Sequence, residues 1–330
     1  MTKNLRISDS FLKRLKKCVL LALPRSWKTT KWLIKITIPV SFGVFLLDFT
    51  GILSTISLFT APVFQYAGLP GEAALVFITS IFTNIYSVIA IISMLDLPVR
   101  EGVILATMCL ISHGFIIESV VLRKTGSNLW RMLGLRLIMS FAAALLLNLI
   151  LPQFEGNVRG GLAKENLDFL QAFIAWLWLM VRMSLKILVL ITLLMIMQKA
   201  FEEFGIMKLI TRFLNPMMRI FGLSADVSFG WFVGNAVGLA YGSAVLIEQV
   251  NEGQVTRQQA DLLNHHLAVS HSQLEDPLLF YAIGLPMLWL MWPRVILAII
   301  AVWVRRLEYR FRTVPIVGEL KVSTNNNSVK

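Results

Sequence analysis

The sequence predicts an all-α polytopic membrane protein built from two inverted-topology repeats. Three observations carry that expectation: an apolar composition, a chain written twice, and charges that assign sides to its loops. Of 330 residues, 56% are hydrophobic and 15% charged, whereas soluble domains carry nearer a quarter charged. Stretches 32–49, 73–95, 102–122, 137–151, 187–197, 227–246 and 295–304 are strongly apolar with few or no charges. Some fall short of the ~20 residues that cross about 30 Å of hydrocarbon and need flanking residues to do so.

The chain opens on a basic stretch, "LKRLKKCVLLALPRSWKTTK", whose apolar run is too short for a signal-peptide core. Residues 11–27 read as an amphipathic segment on the cytoplasmic membrane surface, within a leading segment 1–30. The net charge of +12 gathers at the two ends, at Lys13, Arg14, Lys16, Lys17, Arg25, Lys28 and Lys31, then Arg305, Arg306, Arg310 and Arg312. Basic ends flanking apolar spans follow the positive-inside rule, so the expected partner is the lipid bilayer and not nucleic acid. Cys18 and Cys109 lie too far apart in membrane position to suggest a disulfide, and no CxxC motif is present.

The repeat is visible by eye. "GILSTISLFTAPVFQYAGL" from Gly51 aligns without a gap to "GIMKLITRFLNPMMRIFGL" from Gly205, 154 residues later. Gly51, Ile52, Ile56, Phe59, Pro62, Gly68 and Leu69 match Gly205, Ile206, Ile210, Phe213, Pro216, Gly222 and Leu223. Further along, the offset becomes 158: "LISHGFIIE" lies over "AVSHSQLED", Ser112 and His113 match Ser270 and His271, Glu118 matches Asp276, and Arg136 falls on Arg294. The two units are residues 31–151 and 169–306, joined by a loop at 152–168 and followed by a polar tail at 307–330.

Charge then sets topology. With a cytoplasmic N-terminus, the stretch from Gly51 to Glu72 has no Lys or Arg and belongs outside, while Arg123, Lys124 and Arg131 belong inside. The apolar segments between these loops have the wrong parity in both halves. One segment per half that fails to cross repairs both counts. Each repeat then has about three full crossings, a re-entrant or broken helical segment and an amphipathic helix, the two repeats are inverted, and both termini are cytoplasmic. The segments expected to break are "FITSIFTNIYS" (77–87) and "FVGNAVGLAYGS" (232–243), or the histidine segments after them. Broken helices survive at membrane depth only where protein or a water-filled cavity satisfies the freed backbone. Paired interrupted helices in inverted repeats are secondary-transporter architecture.

"SHGFIIESVVLRKTG" and "SHSQLEDPLLF" resemble motifs of membrane proteins carrying the nucleoside-recognition, or Gate, domain. Relatives include spore-maturation membrane proteins and the gate regions of ferrous-iron and concentrative nucleoside transporters. The resemblance covers roughly residues 31–305 and is most specific at His271, Ser272, Glu275 and Asp276; Gly114 and Ile117 depart from it in the first repeat. It implies membrane passage of a polar solute.

All four histidines lie in or beside the two copies, and ionisable groups inside membranes are costly and usually functional. The expected substrate-binding set is Ser112, His113, Glu118, His266, Ser270, His271, Ser272, Gln273, Glu275 and Asp276, with Asn84 and Asn235 as further polar contacts. Ser87 and Ser243 are weaker candidates. Arg136 and Arg294 are expected to pair with Glu118 and Asp276, or alternatively to face an anionic substrate. His271 and Glu275, four apart and so on one helix face, are the metal-ligand candidates. Asp276 before Pro277 also reads as a helix start. Gly234, Gly238 and Gly242 read as close helix packing, and Arg182 and Lys186 as the interfacial start of a span. No Walker loop, GxSxG or HExxH appears, so neither an enzyme nor a cofactor is expected. The first expectation for function is a transporter or gated permease for a small polar solute, nucleoside-like or an organic ion. The alternatives are a divalent-metal permease and a non-transporting assembly partner, acting as a homo-oligomer or with another membrane protein.

Overall fold

The computed structural model describes residues 2–158, 168–236 and 238–311. Residues 159–167 of the connecting loop and 312–330 of the tail lie outside it. The described residues form fourteen α-helices and one short 3-10 turn, with no strand. Three helices are long and apolar enough to cross a membrane, at Leu129–Ile150, Phe169–Met197 and Met287–Phe311, and a bent pair adds a fourth candidate. This is the helical membrane protein that the composition predicts.

The helices come in the same order in each half. α1 (Thr2–Phe49) and α8 (Phe169–Glu203) are long, and each ends 154 residues from the other. Left-handed Gly51 and Gly205 then turn the chain into α2 (Ile52–Gln65) and α9 (Ile206–Ile220). Next come two short pairs, α3 (Ala73–Phe82) with α4 (Ile85–Ile92), and α10 (Ser228–Ala236) with α11 (Leu239–Asn251). α5 (Val99–Ser112) and α12 (Arg257–Ser270) start 158 apart, as do α7 (Leu129–Ile150) and α14 (Met287–Phe311). Between them lie α6 (Phe115–Lys124) and α13 (Glu275–Tyr281).

α1 runs through residue 30 without a break. The basic leading segment is therefore continuous with the first apolar stretch and is not a separate surface helix. At 1.5 Å per residue α1 is about 72 Å long, more than twice the hydrocarbon thickness. It lies antiparallel to α8: Arg14 pairs with Glu203, Ser26 with Thr192, and Ser41 with the Trp176 indole. Phe42, Phe45, Phe173 and Trp176 stack along the seam. Arg182 and Lys186 sit well inside the apolar Phe169–Met197 stretch and are exposed. They do not mark the start of the helix.

The segments 77–87 and 232–243 do break, as expected. In the first, Thr83 is extended and Asn84 caps the new helix, accepting from the backbone N–H groups of Tyr86 and Ser87. The limbs, ten and eight residues long, are about 15 and 12 Å and cannot individually cross the hydrocarbon. In the second, α11 folds back on α10 so closely that a Cβ on Gly242 would lie 2.5 Å from the Gly234 Cα. Gly234 and Gly242 thus serve close packing, as read from their spacing.

Among the described residues, the two largest apolar cores lie one in each half, and each takes side chains from the other half. Leu279 and Phe280 of α13 pack into the core around α3, α4 and α5. Leu122 of α6 packs into the core around α9, α11 and α12. The helix that follows each histidine break therefore crosses into the opposite half. This exchange brings the two breaks together.

Candidate functional site

Both histidine helices end alike. α5 stops at His113 and α12 at His271, both with extended backbone. The next residue is left-handed in each copy, Gly114 at φ 54° and Ser272 at φ 50°. Glycine adopts that conformation freely and a serine pays for it, so the Gly–Ser difference between the motifs is a conserved geometry met by unequal residues. The N–H of Gly114 donates to the Ser80 and Thr83 carbonyls, and that of Ser272 to the Gly234 carbonyl. Each histidine break is thus tied to the broken pair of its own half.

A helix that ends in the protein interior leaves carbonyls to be satisfied. Arg136 supplies donors in the first copy: Nε to Ile111 O at 2.8 Å and Nη2 to His113 O at 2.6 Å. Arg294 does the same for Val269 O and His271 O. Both arginines are fully buried. The expected Arg136–Glu118 pair is present at 2.6 Å. The expected Arg294–Asp276 pair is not formed. Arg294 Nη1 and Asp276 Oδ2 are buried without hydrogen-bond partners, and Asp276 Oδ2 lies 3.8 Å from His113 Nε2. The new helix restarts at Phe115 in the first copy and at Glu275 in the second, 160 residues apart against the 158 of the motif, so the two carboxylates differ in helix register as well as by one methylene in length.

The two histidines meet, with ring centroids 5.1 Å apart. Glu118 lies between them, Oε1 3.3 Å from His113 Nε2 and Oε2 3.3 Å from His271 Nε2. Each ring directs its other nitrogen back into its own helix, His113 Nδ1 to Cys109 O at 3.2 Å and His271 Nδ1 to Leu267 O at 2.9 Å. A carbonyl and a carboxylate both only accept, so a neutral ring serves its carbonyl through Nδ1–H or Glu118 through Nε2–H, and serves both only as the imidazolium. His113, Glu118 and His271 are close enough together to hold a metal ion.

The other expected site residues divide. Gln273 is buried with neither amide atom paired, and Asn235 keeps an unpaired Oδ1 while its Nδ2 donates to Trp231 O. Glu275 accepts from the Tyr86 hydroxyl at 2.9 Å. It does not share a helix face with His271, because the helix breaks between them; the His271–Glu275 metal pair is replaced by His113, Glu118 and His271. The new helix α13 starts at Glu275, and Asp276 lies in its first turn. Ser112 donates to Met108 O within its own helix, 3.3 Å from Ser80 Oγ. Ser270 contacts His266 Nδ1 at 2.7 Å, and His266 packs on Phe221 and Trp231. Asn84 is occupied as a helix cap, and Ser87 and Ser243 have unpaired buried hydroxyls.

Sequence reasoning missed Tyr86. It also missed a second polar network, where Asp261 accepts from Ser127, Arg305 and Tyr309, and Arg131 joins His265 to Glu308. The positions 158 residues earlier than Asp261 and Arg305 are Val103 and Leu147, both buried. A charge pair on one repeat over an apolar pair on the other was the available signal. A cleft lined by Val120, Arg123, Lys124, Ile247 and Arg257 lies at the far end of α6 and includes none of the histidines.

The chain is 30% identical over 296 residues to "Uncharacterized membrane protein YvoD" of Bacillus subtilis (strain 168), covering 86% of this chain and 91% of that protein. It belongs to the YvoD family. That membership and the apolar helices establish a membrane protein. No protein-family model matches the chain, and no solved structure matches it. The YvoD family is thus the relationship shown.

Proposed function

We propose that the protein is a transporter or gated permease for a small polar solute, built from two inverted Gate-like repeats in the cell membrane with both termini cytoplasmic. The observation that carries this reading is the pair of helix breaks whose histidines and carboxylates converge between the halves. The antiparallel run of α1 against α8, the first helices of the two halves, supports the inversion. So does the reciprocal packing of α6 and α13 into opposite cores. Interrupted helices lining a polar site between inverted repeats suit alternating access, with one half rocking against the other. Gln273, Asn235 and Arg294 hold unused polar atoms near the same breaks and are the groups available to a solute. This is a binding and passage role, not an enzymatic one.

Uptake into proteoliposomes tests it, with nucleosides, organic anions and divalent cations offered in turn. Wild-type protein should exceed a folded Glu118→Gln variant for at least one class. Equal rates for every class would favour the non-transporting assembly partner. Topology has its own test: an introduced cysteine near Asn325 should resist an impermeant thiol reagent in intact cells.

A further inference from the structure

We infer that His113, Glu118, His271 and Asp276 form a binding site for a divalent first-row transition-metal ion, closed across the two halves of the chain. The inference rests on the proposed site and names the class of ion it takes. The ligand chemistry is two imidazoles and two carboxylates, a nitrogen–oxygen set suited to zinc and its first-row neighbours rather than to magnesium or calcium.

Geometry supports it at three levels. First, the two Nε2–carboxylate separations are both 3.3 Å, and they use different oxygens of Glu118. A metal with bonds of about 2.0–2.1 Å in tetrahedral array places its ligand atoms about 3.3–3.4 Å apart. The metal-capable atoms of His113, Glu118 and His271 all lie within 4.8 Å of one another, and Asp276 Oδ2 is 3.8 Å from His113 Nε2, so the four side chains would draw together around an ion. Second, both rings are already oriented as metal-binding histidines are, with Nδ1 on a backbone carbonyl and Nε2 directed at the site. Third, His271 Nε2 and Asp276 Oδ2 are buried with no hydrogen-bond partner, and buried polar atoms of that kind call for a ligand or ion.

Charge points the same way. When ionised, Glu118, Glu275 and Asp276 carry three negative charges against the two of Arg136 and Arg294, an excess of one beside two neutral imidazoles; Asp276 is buried and the two glutamates partly so. Buried charge needs a partner or a metal. The arginines do not block the ion. Both are held on helix-end carbonyls, and Arg136 binds Glu118 through Oε2, leaving Oε1 toward His113. His113 and Glu118 come from one half and His271 and Asp276 from the other, so a bound ion ties the halves together.

The test uses purified full-length protein and needs no transport. After chelator treatment and equilibrium dialysis against zinc or cobalt, wild-type protein should retain about one ion per chain, and the cobalt form should show a tetrahedral absorption spectrum. Thermal stability should rise with zinc concentration, as expected for an ion that binds only the folded state. His271→Ala and Glu118→Gln should lose the ion and the zinc-dependent stabilisation, while His266→Ala keeps both. Wild-type protein without stoichiometric metal overturns the site, and so does loss of metal in His266→Ala with retention in Glu118→Gln. Because wild-type binding decides the matter, misfolding of a variant leaves the test intact. Absence of stoichiometric metal from wild-type protein that still takes up an organic solute would overturn the metal site and leave the permease reading standing.

Discussion

Two copies of one motif meet in this protein, and their carboxylates differ in length by a methylene and in helix register by two residues. In the first, Glu118 reaches Arg136 and both histidines. In the second, Asp276 stops short of Arg294 and leaves an oxygen near His113. Both arginines cap carbonyls of the ending helix, Arg136 also donating to Phe115 O where Arg294 Nη1 is unpaired, so capping a broken helix requires the guanidinium but not the ion pair. A second difference lies across the interface. Glu275 receives the Tyr86 hydroxyl, whereas the matching positions of the other copy are Ile117 and Ala240, and Ile117 is exposed. The repeated backbone builds the frame, and unequal side chains make the site asymmetric.

The largest break in the comparison should come from the arginines. Arg136→Leu strands the Glu118 carboxylate and two helix-end carbonyls, at about 3–5 kcal/mol for the buried pair. Arg294→Leu strands only the carbonyls and should cost less, about 1–3 kcal/mol. Unfolding measured in detergent ranks them, and equal losses would mean that Glu118 contributes nothing through its pair. Double-mutant cycles sharpen the point. Arg136 with Glu118 should couple by about 1–3 kcal/mol, and Arg294 with Asp276, which share no hydrogen bond, should couple by less. Strong coupling in the second pair would restore the contact that the sequence predicted and the structure lacks.

The left-handed position gives a smaller effect of opposite sign in the two copies. Gly114→Ala should destabilise by about 1 kcal/mol, because a Cβ is disfavoured at that φ. Ser272→Gly should stabilise by up to about 1 kcal/mol, the relief of strain being offset in part by a freer unfolded chain. A destabilised Ser272→Gly would show that the serine hydroxyl matters more than its backbone. Least of all should follow from Arg14→Ala. Its pair with Glu203 is largely solvent-exposed, such pairs contribute little, and melting should not measurably change.

The sequence by itself determined the membrane class, the repeat and its offsets, and the two interrupted segments. All of these follow from local properties: apolar runs, matched residues, and small polar residues where a helix must break. Tertiary structure decided which carboxylate serves which cation. His271 and Glu275 are four apart, yet the break at Ser272 separates them, and Glu118 from the other half takes the place that Glu275 was expected to fill. Tyr86 and the carbonyls of Ser80, Thr83 and Gly234 were illegible for the same reason: their partners lie across a chain reversal or the exchange of α6 and α13. Spacing along a chain reports who shares a helix only while the helix continues. Once it breaks, the point where the helix restarts, a side chain's reach and the packing of the opposite half choose its partner.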